Sequence, residues 1–147
     1  MQAADLRVVP VEDQRLVLVA APDGPFRDVD RISREQLAGH RLVVAPKGSL
    51  MRSLVDDVLS SGVDAEIVAE VAHRTSILPM VLAGIADAVL PDGWSKLAVA
   101  AGARVVAIDP PVYLHVAVVS RTTPLTPAAA AFLQVAERWA AVPPADR

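Results

Sequence analysis

The sequence predicts an α/β domain built on a mostly parallel sheet, and three observations carry that expectation. Short apolar runs and helix-period segments alternate at least four times with brief links between them, the signature of right-handed βαβ units. Apolar residues make up 53% of the chain but aromatics only 3%, and such an Ala- and Val-rich mixture suits a layered helix-and-sheet core. The length, 147 residues, corresponds to one domain of about 100–200 residues. A chain of that size buries about 70% of the surface it exposes when unfolded.

The elements follow in order. Residues 16–21 (LVLVAA) form a buried strand, stopped by the turn Pro22-Asp23-Gly24-Pro25. Ser33-Arg34-Glu35-Gln36 is a capping box, and Gly39 ends the short helix that follows it. Residues 41–45 are a strand closed by Pro46. Gly48-Ser49 then opens a helix whose apolar positions Leu50, Met51, Leu54, Val55, Val58 and Leu59 fall on one stripe. Gly62 stops that helix.

Residues 66–71 are the next strand and 76–83 a helix ended by Gly84, with Pro79 tolerable one turn in. A strand over 86–90 breaks at Pro91-Asp92-Gly93, and a helix over 94–101 ends at Gly102. Strands over 104–108 and 113–120 flank Asp109-Pro110-Pro111. Thr126 caps a last helix with Pro127 at its first position; Pro143-Pro144 ends it, and residues 145–147 fray.

Composition and charge exclude several functions. The formal charge is -3 and the pI near 5.5, against a nucleic-acid binder acting alone. No cysteine is present, which removes disulfide scaffolds, thiol catalysis and Cys-based zinc sites. Met1-Gln2-Ala3-Ala4-Asp5 lacks the basic start and apolar core of a secretory signal. No apolar run is long enough to span a bilayer. A cytoplasmic protein without a membrane partner is the expectation.

The best-formed site motif is Pro46-Lys47-Gly48-Ser49, between a strand and an amphipathic helix. N–H groups at a helix start, a serine hydroxyl and a lysine favour a carboxylate or other small anion. The spacing fits neither a P-loop nor a dinucleotide fingerprint, and a plain N-cap serine explains the motif equally. The second motif, His73-Arg74-Thr75-Ser76, falls at the next strand-to-helix junction, and ligands gather at that edge of a parallel sheet. Its bland reading is a capped turn with solvated charges.

Catalysis and metal binding find little support. Ser49, His73 and Asp92 lack a nucleophile elbow, and His40, His73 and His115 lack ligand spacing. Neither a cofactor nor a metal is expected. His40 is expected to meet the terminal carbonyls of the short helix, and His115 to lie on a partly exposed strand face. Asp56-Asp57 reads as a solvated helix face, and Trp94 and Trp139 as packing residues. Asp87, inside an apolar run, needs partners and is expected at a strand start.

Four stretches together carry a family resemblance. Residues 15–25 (RLVLVAAPDGP) look like a crossover strand and its turn. Residues 32–39 followed by Leu42-Val43-Val44 look like the opening of a second subdomain. Residues 81–91 (VLAGIADAVLP) and 125–133 (LTPAAAAFL) look like two further motifs in the same order. The chain resembles the C-terminal part of the effector-binding domain of LysR-type transcriptional regulators, from about Leu6 to Trp139. Ala86 and Asp87 depart from the family's usual glycine and apolar residue.

The resemblance implies a type-2 periplasmic-binding-protein fold with an effector held between two subdomains. Residues 1–21 are then the remnant of subdomain one and the first crossover strand. Residues 22–111 are effector-binding subdomain two, and 112–147 the return strand and closing helix of subdomain one. Lys47, Gly48, Ser49 and Leu50, with His73, Arg74, Thr75 and Ser76, would face the effector, with Pro91 and Asp92 at the rim. The helix-turn-helix and first half of subdomain one typical of the family are not in this sequence, so an excised piece or a truncated relative is expected.

The leading expectation is a ligand-sensing regulatory domain and not an enzyme. Its partners are a small effector and a second copy of itself, with DNA reached only through a helix-turn-helix domain. The alternatives are a stand-alone dimerisation module that binds no effector, or a solute-binding protein of the same fold.

Overall fold

A computed structural model describes residues 5–60 and 62–142. They fall into two compact units, Gln14–Leu114 and a smaller one made of Met1–Asp13 with His115–Arg147. The strands are β1 (Leu6–Ala20), β2 (Arg31–Ser33), β3 (Arg41–Val44), β4 (Glu66–Glu70), β5 (Ala88–Pro91), β6 (Arg104–Asp109) and β7 (Tyr113–Arg121). The helices are α1 (Leu50–Leu59), α2 (Ile77–Leu82), α3 (Ser95–Ala100) and α4 (Pro127–Ala141).

In the larger unit the sheet order is β2-β6-β1-β5, and a single parallel bridge, Leu42 to Asp87, joins β5 to the β3-β4 pair. β2 runs parallel to β6 and β3 parallel to β4. β1 lies antiparallel between β5 and β6, with Leu18 opposite Val89 on one side and Val106 on the other. The mostly parallel sheet expected from the strand-helix alternation is therefore present, with the crossover strand inserted against its direction.

That insertion explains the apolar run Leu16-Val17-Leu18-Val19-Ala20. Successive strand side chains point to opposite faces, and both faces are covered here. Leu16, Leu18 and Ala20 pack with Met51, Val55 and Val58 of α1. Val17 and Val19 pack with Ile77, Leu78 and Val81 of α2 and Ala98 of α3. A strand buried on both faces reads as continuous hydrophobicity.

Local chemistry sets the ends of the elements. The Ser33–Gln36 box forms, but around a 3-10 turn over Arg34–Leu37. Gly84 takes φ +69, the Gly84 N–H donates to the Val81 carbonyl and the Ile85 N–H to Met80, closing α2 as a Schellman motif. The expected helix over 76–83 opens as a 3-10 turn (Arg74–Ser76) before α2. Pro79 supplies no N–H for that first turn, which tightens instead.

In the smaller unit, the Thr122 N–H donates to the Asp5 carbonyl at 2.9 Å, and His115 meets Asp13 at 2.6 Å. Arg7 pairs with Glu137 of α4. The Thr126 hydroxyl caps α4 by accepting from Ala129 N–H, with Pro127 in its first turn. Leu133 and Ala136 are the buried positions of α4, and Phe132, Val135 and Trp139 stand exposed.

Two side chains differ from expectation, His40 and Trp139. Among the described residues the His40 ring meets no helix carbonyl and packs on Phe26, with centroids 4.5 Å apart. Asp56 and Asp57 lie on the exposed face of α1 as expected, and Asp56 pairs there with Arg52 one helical turn away, at 2.9 Å. Trp139 is about half exposed rather than packed. The Pro143-Pro144 stop and the fraying of 145–147 lie outside the described residues.

Candidate functional site

β3, β4 and β5 point the same way, so the turns that follow them share one edge of the larger unit. After β3, Pro46-Lys47-Gly48 leads into α1. Gly48 takes φ +84 with open space where a Cβ would sit, so it is required for its left-handed backbone. Ser49 is the N-cap of α1: its Oγ accepts from Arg52 N–H at 3.2 Å and donates to the Pro46 carbonyl at 2.8 Å. The hydroxyl proton is therefore held by the turn. Leu50 and Met51 supply the first-turn N–H donors that a helix cannot satisfy internally.

After β4, His73 precedes the 3-10 turn that carries Arg74, Thr75 and Ser76, all exposed. Among the described residues Arg74 has no ion-pair partner. After β5, Pro91 is buried and Asp92, half-buried, opens another 3-10 turn. A narrow crevice brings these junctions together, lined by Val44, Ala45 and Met51 from the first, Arg74 and Ile77 from the second, and Pro91 and Trp94 from the third. Of the residues expected at the site, Arg74 and Pro91 line it. Lys47, Gly48, Ser49, Leu50, His73, Thr75, Ser76 and Asp92 lie on the same turns without lining it.

Two residues that the sequence analysis passed over organise this edge. Arg52, on the first turn of α1, is only 6% exposed. Its Nε donates to Asp56 at 2.9 Å and its Nη1 to Glu70, the last residue of β4, at 2.7 Å. The Arg52 hydrogen bond, together with the backbone and charge of Lys47, holds the Glu70 carboxyl below its ordinary range. This cluster ties the start of α1 to the end of β4 and so fixes the spacing of two site turns. The i,i+4 pair Arg52–Asp56 was visible as a pattern, whereas the partnership with Glu70 joins a helix to the end of the following strand, 18 residues away.

Chemically, the edge offers helix-start N–H groups, a cationic Arg74 and an apolar floor, and no arrangement of nucleophile and base. Among the described residues no cluster of His, Asp or Glu could hold a metal. The edge suits binding of a small anion with an apolar body.

The comparisons with known proteins agree with this fold. The model of the LysR substrate binding domain matches residues 2–141. A Shigella flexneri protein described as an uncharacterized HTH-type transcriptional regulator, YfeR, is 32% identical over 88 residues, 59% of this chain and 29% of that protein. The chain thus matches less than a third of that relative's length. The effector binding domain of QuiR, solved with shikimate, superposes with a TM-score of 0.78 at 21% identity, covering 95% of this chain and 67% of that one. The regulatory domain of Synechocystis PCC6803 CcmR, solved with 2-PG, gives 0.82 at 21% identity over 93% and 68%. Full-length CbnR bound to its target DNA gives 0.77 at 19% identity over 97% and 51%. At these identities the structural likenesses establish the fold, a type-2 periplasmic-binding-protein architecture. The match across nearly the whole length establishes the family, one of effector-binding domains and not of enzymes: the chain belongs to the LysR substrate-binding domain family.

Proposed function

We propose that this chain is the ligand-sensing part of a LysR-type transcriptional regulator and that its effector is a small anion. The observation that carries the reading is the convergence of three strand-to-helix junctions on one edge, with the exposed Arg74 beside an apolar crevice and the first-turn N–H groups of α1 nearby. Residues 22–111 act as the effector-binding subdomain, and 1–21 with 112–147 belong to the crossover strands and subdomain one. Shikimate, the ligand of QuiR, is itself a carboxylate and makes a sensible first probe. In a complete regulator, effector binding at this edge shifts the balance between oligomer geometries. DNA contact comes through a helix-turn-helix domain, and the working compartment is the cytoplasm.

A thermal-shift panel of shikimate, 2-PG and simple aromatic acids tests this. A ligand at 100 times its Kd stabilises the folded state by about 2.7 kcal/mol, roughly 5–10 °C for a domain of this size. No shift from any anion across the panel, under conditions where the chain is folded, counts against the reading.

A second reading rests on α4. Phe132, Val135 and Trp139 are 61%, 54% and 49% exposed, an apolar stripe of the kind that marks an interface. A second copy of this chain is the expected occupant, since two-fold dimers are the commonest closed assembly. Sedimentation equilibrium across micromolar concentrations should show a dimer, and a monomer of 15.5 kDa throughout would refute this reading.

A further inference from the structure

A second cavity lies at the other end of the larger unit, where the parallel strands β3 and β5 begin. A solvent-open cavity of about 560 Å³ is bounded by the turn after β1, the start of β3, and the turn between α2 and β5. It lies within the roughly 300–1,000 Å³ range of small-molecule sites, and the effector edge contributes nothing to it.

Asp87 lines the cavity and is only 8% exposed. Its backbone is fully used: the Asp87 N–H donates to the Arg41 carbonyl, and the Val43 N–H donates to the Asp87 carbonyl, both at 2.9 Å. Among the described residues its carboxylate accepts one hydrogen bond, from the Ala21 N–H at 3.2 Å. A carboxylate has about four acceptor positions, so most of its capacity is left for a ligand in the cavity it lines. Burial pushes the Asp87 carboxyl above its ordinary value, opposed by the Ala21 N–H and by the charge of His40. A buried anion compensated this weakly gains from a cationic hydrogen-bond donor. Among the described residues no cluster could hold a metal, and an organic ammonium is a cationic donor that suits a single buried carboxylate.

The remaining walls narrow the choice. Arg41, exposed and without an ion-pair partner among the described residues, lines the cavity together with His40. A second positive arm would meet these two groups, whereas a carboxylate would pair with Arg41. Pro22, Pro25, Leu82 and Ile85 add apolar surface. We infer that this cavity is a second ligand site, for a zwitterionic α-amino acid with an apolar side chain, its ammonium on Asp87 and its carboxylate toward Arg41. The site goes beyond the proposed anion sensing and stands independently of it.

Three probes with the same apolar body separate the contributions: L-leucine, isopentylamine, which lacks the carboxylate, and 4-methylpentanoate, which lacks the ammonium. Calorimetry and amide NMR on the whole chain should show saturable leucine binding, with shifts at Ala21, Arg41 and Asp87. The amine should bind about tenfold or more weakly and the acid not detectably, as expected for loss of one charged hydrogen bond. Asp87→Asn keeps an acceptor for Ala21 N–H and should abolish leucine binding. Arg41→Gln, a surface change, should weaken leucine but leave the amine unaffected. Ser49→Ala, at the other edge, should alter none of this, so failure here is distinguishable from failure of the anion site. Absence of saturable leucine binding, shifts confined to Leu50 and Arg74, or unchanged affinity in folded Asp87→Asn would each overturn the proposal. An amine that binds as well as leucine would overturn the zwitterion assignment.

Discussion

Ser49 occupies a position where helix capping and anion binding can be separated by two substitutions. Ser49→Ala removes both of its hydrogen bonds, the one accepted from Arg52 N–H and the one donated to Pro46. Loss of an N-cap costs about 1 kcal/mol, within a range of about 0.5–2, or roughly 2–4 °C per kcal/mol for a domain near 150 residues. Ser49→Asp restores an acceptor and places a negative charge at the helix start, worth about 0.3–1 kcal/mol. Its stability should therefore lie within about 1 kcal/mol of the wild type. Ligand binding should diverge. A carboxylate about 4 Å from a bound anion costs about 4 kcal/mol at an effective dielectric of about 20, enough to remove measurable affinity for a weakly held anion. Urea denaturation reads the first effect, and calorimetry with whichever carboxylate stabilises the wild type reads the second. Undiminished anion affinity in Ser49→Asp would place the anion elsewhere, and a Ser49→Ala variant as stable as wild type would refute the capping role.

Three further outcomes follow from the structure. Leu18 is fully buried between β5 and β6, and Leu18→Ala should lower unfolding free energy by about 2–5 kcal/mol in chemical denaturation. Glu70, whose carboxyl is held below its ordinary 4.5 by the Arg52 hydrogen bond and charge and by Lys47, adds stability that is present above that value and lost as pH falls through the lowered one. The stability gap between wild type and Glu70→Gln should therefore shrink between about pH 5 and pH 3, and a gap constant across that range would show that the pair contributes nothing. The isolated chain, with its formal charge of -3, should bind no duplex DNA specifically, and competitor-resistant retardation in a gel shift would contradict this.

The sequence exposed the larger unit more fully than the smaller one, for a physical reason. Leu16 to Ala20 is buried on both faces and so declares itself as an unbroken apolar run. The earlier half of the same strand, Leu6 to Arg15, carries Glu12, Asp13 and Gln14 and leaves Val8 57% exposed, so no periodicity marks it. β2, only three residues long, is fixed by pairing with β6 rather than by its own composition. At the site, each turn was legible because glycine, serine and proline punctuate it, while the order in which turns adjoin was set by the sheet. Asp87 was recognised as a carboxylate in need of partners. That its partner is the Ala21 N–H, 66 residues away, depends on where the crossover strand ends. His40 packs against Phe26 for a similar reason, a contact made by two loops whose meeting no local pattern encodes.

The central position of β1 also fixes when the domain can be completed during synthesis. β1 leaves the ribosome well before both of its neighbours in the larger unit, β5 and β6, which begin at Ala88 and Arg104. Until then a segment of five consecutive apolar residues has neither edge paired. Closing such distant contacts carries a loop entropy that must be met before the contacts repay it. The β3-β4 pair and α1, all encoded between Arg41 and Glu70, can form meanwhile as a local unit. The nascent chain therefore passes through an interval in which its most aggregation-prone segment is exposed, and its folding yield should depend on chaperone supply during the synthesis of residues 20–104.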